Sequence, residues 1–159
     1  MAGTQMNTLQ TTTPAVLHHL HLESSNPERL ARFYSGLLEL SSTRDGDGTH
    51  VLTGGQRRLL VSKGSDGTPA FMAFAVQDVA ALEKLRARLA ASVGGLDTVR
   101  SPLFSEGAFA IRDPQGRRLV FGVAPAKSYP DARPGLLQHV VFQTTAIDPL
   151  VERATQVLK

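Results

Sequence analysis

Histidine is the residue type in this sequence best suited to chemistry near neutral pH, because an imidazole can bind a metal ion or transfer a proton there. Three histidines, His18, His19 and His21, lie together in one stretch, and His50 and His139 stand apart from them. On a regular strand His19 and His21 share a face and His18 lies opposite. Those two are a candidate metal-binding pair, although the sequence places no aspartate or glutamate to complete a ligand set.

Few other groups are candidates for chemistry. His50 begins another candidate strand without a companion histidine and is predicted to be a surface residue. Glu106 is a possible cleft acid, and a solvated loop carboxylate is the ordinary alternative. The absence of cysteine removes disulfides, zinc–thiolate sites and thiol nucleophiles, and it agrees with a cytoplasmic location. The sequence has neither a Gly-x-Ser-x-Gly motif nor a Walker-type loop.

Charge and hydropathy exclude two classes of partner. The net charge of +3 is modest, and the arginines are mixed with acids and lack stacking aromatics, so we predict no nucleic-acid binding. No apolar run approaches the roughly 20 residues that span a bilayer. The start of the chain lacks the apolar core of a signal peptide. We therefore predict no membrane association.

The histidine-rich stretch opens a strand, cap and helix. Residues 17–22 alternate with the period of a half-buried strand. Asn26 can accept a hydrogen bond at a helix start, and Pro27 suits the first helical position. The predicted helix carries an apolar stripe of Leu30, Phe33, Leu37 and Leu38, with Tyr34 beside it.

The same arrangement occurs twice. After the first helix, a glycine-rich turn at 45–48 and a hairpin with arms at 50–53 and 57–62 complete a β-α-β-β-β unit. The second unit starts with a strand at 70–77 and the helix cap Asp78. Its helical stripe is Val79, Leu82, Leu85 and Leu89, and its later strands fall at 98–100, 108–112 and 117–123, the last two joined by the turn 113–116.

The remaining residues define the predicted domain boundaries. Residues 1–15 are predicted to be a flexible tail and 16–123 the paired domain. Residues 124–135 contain three prolines without periodicity and are predicted to be a linker. Residues 136–159 begin a third unit, with a strand, a cap and a short helix, and leave it incomplete. Such a piece must pack on the first domain, on another copy or on further residues.

The two tandem units, their Asn/Asp caps, the Phe33-Tyr34 pair and the Asp-Pro-x-Gly turn resemble the glyoxalase, bleomycin-resistance and extradiol-dioxygenase superfamily, also called vicinal oxygen chelate proteins. The resemblance covers residues 16–123 and implies an α+β fold in which tandem βαβββ units form a curled mixed sheet with the helices outside. The stretch 113–122, followed by the linker and residues 137–142, is most similar to the domain junction of a two-domain extradiol dioxygenase.

The resemblance also implies a set of ligand positions. His19, seven residues before Asn26, lies at the first of them. The matching place in the second unit lies eight residues before Asp78, at Ala70, and the last ligand position holds Val120. Alanine and valine offer no lone pair, so only one of three positions is filled.

His139 lies at the ligand place of the incomplete third unit, where the resemblance puts the first histidine of a catalytic domain. His139 and His19 are therefore the candidate metal ligands.

Three functions follow as hypotheses. The leading one is the metal-free N-terminal domain of an extradiol-type ring-cleaving dioxygenase, inactive as this 159-residue chain, with Fe(II) or Mn(II) implied only for the full-length enzyme. The alternative is a dimeric, bleomycin-resistance-like protein that binds a small molecule without catalysis. The third, a metal-dependent isomerase or lyase, conflicts with Ala70 and Val120. The expected partners are a small aromatic substrate or ligand and a second copy of the chain.

Overall fold

The computed structural model describes residues 15–126 except 68 and 94. Residues 1–14 of the predicted tail, residues 127–135 of the predicted linker and the whole predicted third unit lie outside these residues. The elements are β1 (Val16–Ser24), α1 (Pro27–Leu38), β2 (Ser41–Arg44), β3 (His50–Gly54), β4 (Arg57–Lys63), β5 (Pro69–Val76), α2 (Val79–Val93), β6 (Asp97–Thr98), β7 (Phe109–Arg112) and β8 (Arg118–Val123). None of the helices in this part of the chain is long and apolar enough to cross a membrane.

The eight strands of the described part of the chain form one mixed sheet in the order β2-β3-β4-β1-β5-β8-β7-β6. Within each unit the first and last strands pair in parallel, β1 with β4 and β5 with β8. The two units join through the antiparallel pair β1 and β5 at the centre of the sheet. The predicted α+β fold of tandem βαβββ units is confirmed.

Both helices begin at the residues that the sequence predicts. The Asn26 side-chain oxygen accepts from the backbone N–H of Arg29 at 3.0 Å. The Asp78 carboxylate accepts from the backbone N–H of Ala81 at 2.8 Å. Each bond satisfies one of the donors that a helix start leaves without an intrahelical partner.

The helices pack on the outer face of the sheet, as expected, but the predicted stripe of α1 is partly wrong. Ala31 is buried against a cluster of Leu40, Leu52, Leu59 and Val61, whereas Phe33 is 57% and Leu37 64% exposed. The reason is that α1 covers β3 and β4 near one edge of the sheet, so only one side of the helix meets apolar residues. In α2, Leu82, Leu85 and Leu89 are buried as predicted, and Val79 is exposed.

The opposite face of the sheet, here called the inner face, has its own apolar cluster. Its strand residues alternate with those beneath the helices, as the pleat requires. The buried members are Leu60, Phe71, Ala73, Ala108, Ala110 and Val120, together with Leu103 and Phe104 from the segment that connects β6 to β7.

Candidate functional site

His19 lies at the centre of the inner face and is fully buried. On β5 it pairs with Ala73, which pairs in turn with Val120 on β8. Directly paired residues project to the same side of a sheet. The structure therefore sets His19, Ala73 and Val120 in one row across three strands.

A β-bulge changes the position of His18. The pairing of β1 with β5 shifts register between Leu17 and His19, so His18 is the extra residue of the bulge. Its ring lies 5.1 Å from that of His19 and 5.1 Å from that of Phe104. The prediction that His18 lies on the face opposite His19 is wrong, because strict alternation fails at a bulge.

Both ring nitrogens of His19 have partners within the chain. Its Nδ1 lies 2.8 Å from Nδ1 of His18, and its Nε2 lies 3.0 Å from Oγ of Ser101. The Ser101 hydroxyl also accepts from the backbone N–H of Leu103 at 3.3 Å. Two imidazole nitrogens can share one proton in such a bond, so the arrangement favours neutral rings.

Burial keeps these imidazoles neutral. It lowers the pKa of His18 to about 4, with a further contribution from the nearby Arg58 guanidinium. Burial is also the first cause that holds the pKa of His19 well below the ordinary value, followed by His18, His21 and Arg58. A neutral imidazole is the form that binds a metal, but only through a nitrogen with a free lone pair.

His21 lies on the same face in a separate environment. It pairs with Phe71 on β5, whose ring it meets edge-on at 4.8 Å, and its Nε2 lies 2.8 Å from Oγ of Ser62. Burial lowers its pKa, while Glu23 acts in the opposite direction. The structure thus places His19 and His21 on one face, as predicted, but gives them different hydrogen-bond partners.

His50 is not the surface residue that the sequence indicated. It is 8% exposed and pairs with Val61, under α1. Its Nε2 lies 3.1 Å from an Arg44 Nη2 atom that also contacts Glu28. Burial, followed by Arg44, lowers its pKa.

Two residues that sequence reasoning missed, Ser101 and Phe104, complete the His19 site, and a third, Arg58, acts on its imidazoles. Phe104 packs against His19 with ring centroids 4.8 Å apart. Ser101 is 82 residues from His19 in sequence, and no motif connects them. The sequence gives one indication of this packing, which is that small residues, Ala73, Ala110 and Gly122, lie on the neighbouring strands.

Glu106, the candidate cleft acid, is exposed and lines an open depression of about 450 Å³ beside Ser101.

The strand register also corrects which residue of the second unit is equivalent to His19. Leu20 pairs with Leu59 in the first unit as Met72 pairs with Leu119 in the second, and each of these leucines follows an Arg-Arg pair. The residue equivalent to His19 is therefore Phe71, the neighbour of Met72, rather than Ala70. Phe71 offers no lone pair either, and its ring meets that of His19 at 5.8 Å.

Solved structures share this fold. Catechol 2,3-dioxygenase matches with a TM-score of 0.70 at 15% identity, over 91% of this chain and 56% of that one. The 2,3-dioxygenase LapB from Pseudomonas sp. KL28 matches with a TM-score of 0.58 at 23% identity, over 71% of this chain and 42% of that one. Homoprotocatechuate 2,3-dioxygenase from Arthrobacter globiformis matches with a TM-score of 0.57 at 17% identity, over 74% of this chain and 40% of that one. Neither the protein-family models nor the curated proteins match this sequence.

The curled sheet of paired βαβββ units is thus the vicinal oxygen chelate fold. The three solved structures named above are 2,3-dioxygenases, and the chain spans about half the length of the first and about two fifths of the other two.

The described residues do not fit the metal ion that the resemblance implies. Within 15–126, no three histidine, aspartate or glutamate side chains are grouped closely enough to hold a metal ion. His19, which the resemblance places at the first ligand position, has both nitrogens in hydrogen bonds, and its row continues with Ala73 and Val120. His139 lies outside the described residues, so its predicted role stays a prediction.

Proposed function

We propose that this chain serves as the metal-free N-terminal domain of an extradiol-type ring-cleaving dioxygenase. The observation that carries the proposal is the state of His19: both nitrogens bind other side chains, and its row neighbours are Ala73 and Val120. A 2-His-1-carboxylate centre needs three ligands with free lone pairs on one face. In this proposal the domain contributes its fold, and a catalytic domain contributes the iron or manganese.

The extent of the structural matches supports the same role. Two of the dioxygenases match over 71% and 74% of this chain but only 42% and 40% of their own length. A match to about two fifths of a longer chain is what we expect of one domain in a protein made of two domains of similar size. Under this proposal His139 is the candidate first ligand of the adjoining catalytic unit, and the substrate class is a catechol or related aromatic diol.

Metal analysis of the purified 159-residue chain tests the proposal. The protein is loaded anaerobically with Fe(II) or Mn(II), desalted and assayed for bound metal and for the yellow product of catechol cleavage. We expect less than stoichiometric metal and no ring cleavage, and a His19→Gln variant should give the same result. Stoichiometric iron that the His19→Gln substitution abolishes would contradict the proposal.

A second candidate is a dimeric small-molecule binding protein of the bleomycin-resistance kind. One observation favours it: Phe33 and Leu37, four residues apart on α1, leave an exposed apolar surface that a second copy could cover. The filled inner face, with Leu103 and Phe104 in its core, weighs against an open ligand cleft. Sedimentation of the wild-type chain beside a Leu37→Glu variant separates the two, since only a dimer through this surface would dissociate.

A further inference from the structure

One segment crosses the inner face and connects the two units. Residues 99–107, here called the strap, link β6 to β7. Arg100 forms an ion pair with Asp47 of the first unit at 3.2 Å, and Ser101 bonds to His19 on β1. At its other end the Ser105 N–H donates to the carbonyl of Val123 on β8 at 2.9 Å. The strap is therefore attached to elements of both units.

The strap places one aromatic ring in a hollow made by small residues. Phe104 packs with Ala73, Ala108 and Ala110 on the inner face. Gly122 lies directly beneath it, since a Cβ added there would overlap the Phe104 ring and lie 2.7 Å from its Cγ. The rings of His18 and His19 flank the same phenyl group.

The hollow lies beside an open depression at the surface. Phe104 and Ser101 also line the open depression of about 450 Å³, whose other walls are further strap residues and Thr98 of β6. The phenyl ring thus separates an interior hollow from that depression.

We propose that the strap closes the inner face from within: Phe104 occupies a hollow the size of an aromatic ring, and the Ser101–His19 hydrogen bond holds it there. Displacing the ring would expose small apolar walls and two neutral imidazoles. A neutral planar aromatic molecule with a hydroxyl group matches that chemistry, because its ring replaces the phenyl group and its hydroxyl takes the place of the Ser101 hydroxyl at Nε2 of His19.

Removing the ring tests the proposal directly, with phenol as the probe. A buried apolar cavity left by side-chain truncation can bind a small aromatic molecule. We expect Phe104→Ala to bind phenol with 1:1 stoichiometry and at least tenfold more tightly than the wild type, by NMR titration. Phe33→Ala, which removes the same ring from an exposed helix position, should behave as the wild type. A folded Phe104→Ala chain without saturable phenol binding would overturn the proposal, as would equally tight binding by the wild type.

The serine anchor gives a second test that does not create a cavity. Ser101→Ala removes the hydroxyl that bonds to His19, and Ser105→Ala makes the same truncation at an exposed strap position. We expect roughly tenfold faster hydrogen exchange at the strap amides of Phe104 and Ser105 in Ser101→Ala. The amide of Leu60 should exchange at the wild-type rate. Equal protection of the strap in both variants would show that Ser101 does not hold it closed.

Discussion

Burial and fixed partners hold the His19 imidazole neutral and make it a structural anchor. A histidine with one free nitrogen could accept a metal or a substrate proton, but His19 uses one nitrogen for His18 and the other for Ser101. Protonation of His19 would make both of its ring nitrogens donors, so His18 and Ser101 would both have to accept. It would also place a positive charge in a site without bulk water. The residue type thus matches a metal site, whereas its surroundings match a hydrogen-bonded core.

This arrangement predicts acid sensitivity. The pKa of His18 is about 4 in the folded chain, whereas in the unfolded chain its imidazole has the ordinary pKa of 6.5. Between those values the unfolded state binds more protons, so the free energy of unfolding should be constant above about pH 7 and decrease as the pH falls towards 4.5. Urea unfolding at closely spaced pH values measures it.

A matched pair of variants isolates the cause. The His18→Gln variant should have a lower free energy of unfolding than the wild type at pH 7.5. That free energy should decrease less steeply than in the wild type between pH 6.5 and 4.5. His50→Gln, at a histidine on the outer face, should leave most of the decrease in place. A slope that neither substitution changes would mean that other groups cause the acid sensitivity.

Two glycines should respond oppositely to the same substitution. Gly122→Ala places a methyl group against the Phe104 ring and should lower the free energy of unfolding by about 1–3 kcal/mol. Gly36→Ala meets nothing within 4 Å on α1 and should raise it by about 0.4–1 kcal/mol through helix propensity and reduced freedom of the unfolded chain. Chemical denaturation of both variants provides the comparison. A Gly122→Ala chain as stable as the wild type would refute the close approach of Gly122 to the Phe104 ring.

At the scale of the elements, local chemistry explains most of what the sequence predicts correctly. Asn26 and Asp78 begin both helices, and the Asp113 carboxylate accepts from the N–H groups of Gln115 and Arg117 to fix the last turn. Each of these bonds joins residues at most four positions apart. Burial of particular helix residues is less predictable, as Phe33 and Leu37 show, because it depends on how much sheet lies beneath the helix.

The cap of α1 can be tested by substitution. Asn26→Ala removes the side-chain acceptor of the Arg29 N–H and should lower the free energy of unfolding by about 1 kcal/mol. Asn26→Ser keeps an acceptor at the same place and should remain close to the wild type. Equal stability of the two variants would show that the cap contributes nothing measurable.

At the scale of the whole molecule, the site depends on contacts that no local pattern reveals. The bulge at His18 breaks the alternation from which its face was predicted, and Ser101 reaches His19 across 82 residues. The residue of the second unit that is equivalent to His19 could be identified as Phe71 only from the pairings of β1 with β4 and of β5 with β8. The fold was accessible from its repeated local elements, but the contents of its inner face required the register between strands.

The central pairing of β1 with β5 has a consequence for any half of this chain. Cutting after Gly67 would keep Asp66 with Ser24 and Ser25, its hydrogen-bond partners, yet leave β1 and β5 each with one unpaired edge. We expect each fragment alone to self-associate through that edge, and an equimolar mixture to reconstitute one stable heterodimer by light scattering. Soluble, folded monomers of either fragment would contradict this. The seam between the units is thus a complementary interface within a single polypeptide.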